Sequence, residues 1–226
     1  MPRKDVWLRM TIRIIVIISS IYGILKTSTS LKSLTYFTTL SNIFIIAIFL
    51  VFLINDFKSL TINKKIKVNN NLYLTKFLAT ISITLTFLVF LLILAPTMPG
   101  GIIQAYLIND AGSLCVHFIT PLLAIIDFLI FDYDYKSKDI HILYSIIPPI
   151  CYVVFIIVLS KLGMRWGTML APYNFLNYGA ETGWFGYNPA IRSWESLGIG
   201  AFYMIIILII IFLILAKVLL LIKTKK

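Results

Sequence analysis

The sequence predicts an all-α integral membrane protein, a six-transmembrane-helix bundle forming one domain over residues 1–226. Three observations carry this. The composition is 60% hydrophobic and only 13% charged, with a mean hydropathy of +0.96, far from the half-apolar, quarter-charged balance of soluble domains. Six apolar runs reach the ~17–25 residues that a bilayer crossing needs. The basic residues, which give a net charge of +11, gather between those runs, as charges flanking membrane spans do.

The first span, about 10–26, follows Arg3, Lys4 and Arg9 and could be taken for a signal peptide. No small-x-small cleavage site follows it, since KTSTSLKS is a poor substitute, so a retained helix is expected. The second, third and fourth spans fall at about 36–54, 74–95 and 114–131, the fifth and sixth at about 142–160 and 198–222. Fifteen Lys and Arg lie on the side of the N-terminus, the 55–76 and 132–140 connections and the C-terminal tail; five lie opposite. Both termini are therefore expected to be cytoplasmic, in a multi-pass protein of the cell membrane.

The outer 161–197 connection differs from the polar, basic 55–76 loop. It holds Trp166, Tyr173, Phe175, Tyr178, Trp184, Phe185, Tyr187 and Trp194 among several glycines. Such a loop is too aromatic for a disordered linker, and either an aromatic belt at headgroup level or a functional lid fits it. Cys115 and Cys151 both sit in apolar runs and read as small buried hydrophobes, with no zinc spacing around Cys115-x-His117. No cofactor and no metal are expected. No basic soluble domain is present, which argues against nucleic-acid binding. Membrane lipids are the expected partners; the oligomeric state is open.

Ionisable groups are costly in hydrocarbon, so those within spans are functional candidates. Two stand out, His117 and Asp127 on the fourth span, where His117, Thr120, Ala124 and Asp127 follow a 3-4-3 spacing on one stripe. His141 and Asp132 are placed at cytoplasmic ends, where water is available. Pro121 removes a backbone hydrogen bond at the level of residue 117. On the second span Thr35, Thr38 and Asn42 repeat at 3 and 4, with Thr39 and Ser41 beside them. Thr38 and His117 both lie within a few residues of the outer boundary and can meet if the two helices are neighbours. Asp127, about 15 Å deeper, is too far to orient His117. A hydroxyl activated by a neutral imidazole is a nucleophile for acyl transfer, and a membrane site draws a lipid ester from the bilayer. Asn42 or the backbone near Pro121 are candidate oxyanion donors. The plain alternative is that these polar residues only join helices.

The stretches TYFTTLSN, HFITPLLAIID and APYNFLNYGA resemble a known family. It comprises six-span membrane proteins related to the androgen-induced-gene product and the androgen-dependent regulator of tissue-factor-pathway inhibitor, and the chain looks closest to their bacterial relatives. The shared pattern is Tyr36-Phe37-Thr38, then His117 with Pro121 and Asp127, then Tyr173-Asn174-Phe175-Leu176. The resemblance implies a hydrolase of fatty-acid esters of hydroxy fatty acids, with Thr38 as nucleophile and His117 as base. Ser41, Asn42, Thr120, Tyr173, Phe175 and Trp184 are then candidate substrate-binding or supporting residues. Two departures matter. The His-to-Pro spacing is one residue shorter than in the eukaryotic members, and Thr39 or Ser41 compete with Thr38 as the reactive hydroxyl.

A second reading is a non-enzymatic small-molecule binder, such as a transporter's substrate-capture subunit. Those dock to partners through Ala-x-x-x-Ala on the first span; here only Ser19-x-x-x-Gly23 stands there.

Overall fold

The computed structural model describes residues 3–64, 66–98, 100–193 and 195–224. Trp194, one of the loop aromatics, lies outside them. Among the described residues the regular structure is helical, with six helices long and apolar enough to cross a membrane. They run Asp5–Thr27, Phe37–Thr61, Asn70–Leu94, Gly112–Phe131, Ile140–Lys161 and Ala201–Lys223. We call them α1, α2, α3, α5, α6 and α7; α4 is the short helix Gly101–Leu107 between α3 and α5.

Several helices outrun the apolar pattern. α2 continues through Asn55, Asp56 and Lys58 to Thr61, because a helix keeps its own backbone hydrogen bonds whether or not its side chains suit lipid.

The chain divides into two compact units, residues 1–141 with 218–226, and residues 142–217. In the first, α1 packs against α2 and α5, and α3 packs against α2 and α5, closing a four-helix ring. Its core joins Val16, Ile45, Phe49, Phe77, Ile81 and Phe128. α1 and α5 approach closely where side chains vanish: a Cβ on Gly23 would lie 2.5 Å from Val116 Cγ1, and one on Gly112 2.5 Å from Lys26 Cβ. Thr120 Oγ1 donates to Ser19 Oγ at 3.2 Å in the same seam. The Ser19-x-x-x-Gly23 face is thus occupied within the chain, the close small-residue packing common between membrane helices.

The ring also holds a buried cluster of six charges. Arg9 and Arg13 both reach Asp56 at 2.5 Å, Arg13 Nε donates to Asp127 Oδ1 at 2.9 Å, and Lys76 bonds Asp127 and, at 2.7 Å, Asp132. Three basic side chains thus face three carboxyl groups. A cavity of about 20 Å³ beside Arg9, Arg13, Asn55 and Asp56 has room for one water. This corrects two expectations. The ionisable groups inside the helices are not His117 and Asp127 alone, since Arg13, Asp56 and Lys76 are buried there too. Nor do Asp132 and His141 meet water: Asp132 is fully buried and His141 is 5% exposed, its Nδ1 2.7 Å from Tyr135 Oη. Residues that read as flanking charges turn inward because their partners are inside.

In the second unit, the connection between α6 and α7 is folded rather than loose. Asn177 accepts from the Leu170 and Gly179 N–H groups and donates to the Glu195 carbonyl. Carbonyls of Gly186, Gly183 and Trp184 take the N–H groups of Gly200, Ala201 and Phe202, capping the first turn of α7. Gly200 is required there, as a Cβ would lie 2.4 Å from the Trp184 oxygen.

Candidate functional site

α2 and α5 both begin at the same end of the four-helix ring, and each places a polar residue in its first turns. Thr38 is the second residue of α2 and His117 the sixth of α5. Thr38 Oγ1 and His117 Nε2 lie 3.5 Å apart, at the outer limit of a hydrogen bond, as such contacts often are without substrate. On the far side of the ring, Nδ1 is 3.0 Å from the Ser113 carbonyl oxygen and 3.3 Å from Ser113 Oγ. A carbonyl oxygen only accepts, so Nδ1 carries a proton, and in the neutral tautomer that this contact favours the Nε2 lone pair faces the Thr38 hydroxyl.

A widened turn sets this orientation. Over Cys115–Ile119 α5 follows the π pattern, with the Thr120 N–H bonded to the Cys115 carbonyl, and Pro121 follows at once. α3 repeats the arrangement: Phe90–Leu94 is a π turn, Ala95 N–H bonds Phe90 O, and Pro96 follows. A proline lacks the N–H and clashes with the carbonyl four residues back, and widening the preceding turn relieves both. The two widened turns face each other through their rings: Phe90 stacks on His117 with centroids 3.7 Å apart and planes 15° from parallel.

Asn42 ties α2 to the widened turn. Its Nδ2 donates to the Thr38 carbonyl at 2.8 Å and the Val116 carbonyl at 3.3 Å, and its Oδ1 accepts from Ser20 Oγ at 2.7 Å. Both contacts of the amide nitrogen are thus to backbone carbonyls. Ser41 Oγ donates to the Thr38 carbonyl at 3.0 Å and lies 2.9 Å from Thr86 Oγ1; Thr39 Oγ1 donates to the Ser33 carbonyl at 2.9 Å. Of the three hydroxyls in competition, Thr38 is the one opposite His117.

The start of α5 is held from α1. Asn109, Asp110 and Ala111 take positive φ of 55°, 52° and 61° in succession, a conformation that side chains disfavour. Tyr22 Oη donates to the Asp110 carbonyl at 2.9 Å and Lys26 Nζ to Asp110 Oδ2 at 2.6 Å. The bond from Lys26, with its charge, holds the Asp110 carboxyl below the usual range.

The remaining expected site residues have partners of their own. Thr120 turns to Ser19 on α1. Asp127, deeper on α5, is taken by Arg13 and Lys76. Tyr173, Phe175 and Trp184 belong to the other unit, where Tyr173 stacks on Phe175 with centroids 5.0 Å apart and Trp184 on Tyr178 at 4.7 Å. The sequence reading missed Ser113 and Phe90, since an orienting carbonyl and a stacking ring carry no motif.

Comparison with known protein families, curated proteins and solved structures finds no match to this chain.

Proposed function

We propose that the chain is an intramembrane hydrolase of lipid esters, with Thr38 as nucleophile and His117 as general base. One observation carries the reading: His117 Nδ1 lies 3.0 Å from the Ser113 carbonyl oxygen, which can only accept and so favours the tautomer protonated there, and Nε2 lies 3.5 Å from the Thr38 hydroxyl. A threonine hydroxyl is a weak nucleophile unless a neighbouring base takes its proton, and a base is effective when a third group orients it.

In the first step Thr38 Oγ1 bonds to the ester carbonyl carbon while its proton passes to His117 Nε2. Collapse breaks the bond to the alcohol oxygen, which leaves with that proton. Water, deprotonated by His117, then releases the acid and restores Thr38. The apolar helices around the site suit long acyl chains, and fatty-acid esters of hydroxy fatty acids are the substrate class suggested by the family resemblance. By the distribution of basic residues the protein sits in the cell membrane with both termini cytoplasmic, placing the pair near the outer face.

The test is hydrolysis of a panel of long-chain esters, including hydroxy-fatty-acid esters, by purified protein in detergent. Turnover lost in Thr38→Ala and in His117→Ala, both still folded, supports the reading. Turnover indifferent to both substitutions, or none on any ester, refutes it.

A further inference from the structure

An acyl transfer at Thr38 needs a hydrogen-bond donor for the negative charge that develops on the carbonyl oxygen, and the nearby side chains are largely spent. Asn42 gives both amide hydrogens to backbone carbonyls, and Ser41 gives its hydroxyl to the carbonyl of Thr38. The Ser113 hydroxyl lies against Nδ1, on the side of the imidazole away from Thr38.

One buried donor belongs to the aromatic cluster that reaches His117 through Phe90. Tyr106, on α4, is 9% exposed, yet its hydroxyl is buried and has no hydrogen-bond partner among the described residues. Burying a hydroxyl unsatisfied is costly, and such groups are few in folded proteins, so each calls for a partner. The ring is fixed by contacts leading to the site: it meets Phe90 edge-on with centroids 5.0 Å apart, and Phe90 stacks on His117 at 3.7 Å. Phe118, the residue after His117, meets Tyr106 from another side at 6.0 Å. Leu91, Leu94, Met98 and Leu114 pack around this cluster, supplying apolar walls for an acyl chain.

We propose that Tyr106 supplies the hydrogen bond that holds the carbonyl oxygen of the lipid ester as Thr38 attacks it. The inference rests on the hydrolase reading and adds the electrophilic partner to it. As the Thr38 oxygen bonds to carbon and its proton moves to His117 Nε2, the carbonyl electron pair shifts onto oxygen, where the Tyr106 O–H meets it. The phenol keeps its proton throughout. When the intermediate collapses, the pair returns to re-form the carbonyl and the alcohol leaves with the proton from His117.

Two measurements test this with the full chain in detergent. In the first, Tyr106→Phe removes the hydroxyl and keeps the ring packing. The expected result is a fall in kcat on the order of 100-fold, with KM within a few-fold of wild type and unchanged thermal unfolding. Undiminished kcat overturns the proposal and assigns the oxyanion to backbone donors. The second needs no turnover: a long-chain ester with a 13C-labelled carbonyl is bound to Thr38→Ala, and the carbonyl band is read by infrared difference spectroscopy. A shift to lower wavenumber that disappears in Thr38→Ala/Tyr106→Phe supports the contact. No shift, or an equal shift in both variants, overturns it. A Tyr106-dependent shift in a protein that hydrolyses no ester would leave Tyr106 as a carbonyl-binding residue and remove the hydrolase reading instead.

Discussion

Arg13 on α1 donates through Nε to Asp127 on α5 at 2.9 Å, with Arg13 2% exposed and Asp127 fully buried. Asp127 also takes Lys76 from α3, and Arg13 also reaches Asp56 on α2, so two side chains bind four helices. Removing one partner of a buried ion pair strands the others. Asp127→Ala should therefore lower stability by ~3–5 kcal/mol, read as a large fall in thermal midpoint in detergent. Arg13→Met combined with Asp127→Leu should lose less than Asp127→Ala alone, because the pair leaves together. A double variant worse than the single would contradict this.

The three competing hydroxyls give a sharp contrast. Thr38→Ala should cut ester turnover by on the order of 100-fold or more, the range for losing acid–base machinery, while Thr38→Ser keeps a measurable fraction. Thr39→Val and Ser41→Ala should stay within a few-fold of wild type, since those hydroxyls bond backbone carbonyls of Ser33 and Thr38. Rates that fall most in Ser41→Ala would move the nucleophile.

Asn42 predicts coupled losses. Asn42→Leu takes the Oδ1 acceptor from the Ser20 hydroxyl and releases the Thr38 and Val116 carbonyls. At about 1 kcal/mol for each bond lost, stability should fall by ~2–3 kcal/mol, and turnover should fall with it as Thr38 loses register with His117. Denaturation and turnover of one preparation check both.

The α1–α5 seam should refuse bulk. Gly23→Leu places a side chain where even a Cβ meets Val116 and the Gly112 carbonyl, and overpacking of this kind costs ~1–3 kcal/mol. Thermal unfolding of Gly23→Ala and Gly23→Leu should show a graded decrease; equal stability of all three proteins would mean that the helices separate freely.

Asp110 adds a modest pH dependence. Its folded pKa is depressed by Lys26, so its contribution is present above the ordinary carboxylate pKa of about 4 and fades as pH falls through the lower folded value. Asp110→Asn should lower the thermal midpoint slightly at pH 7, less in high salt because the pair is exposed, with the gap to wild type closing in strong acid. A gap that persists there would rule the ion pair out as its cause.

The sequence by itself determined the spans, because hydrocarbon penalises polar side chains so strongly that six apolar runs stand out whatever their packing. It also placed Thr38 and His117 at similar depth, since rise per residue converts position into height. It misjudged Arg13, Lys76 and Asp132, whose positions near span ends are those of ordinary flanking charges. Their burial depends on carboxylates and cations from other helices, which no single stretch displays. Only the tertiary structure decided which of Thr38, Thr39 and Ser41 faces His117, because helix-start hydroxyls choose between backbone carbonyls and a neighbouring helix. It also decided what the two imidazole nitrogens face and the stacking of Phe90. Both follow from widened turns ahead of Pro96 and Pro121, where a missing N–H shifts the hydrogen-bond register and turns the rings toward each other.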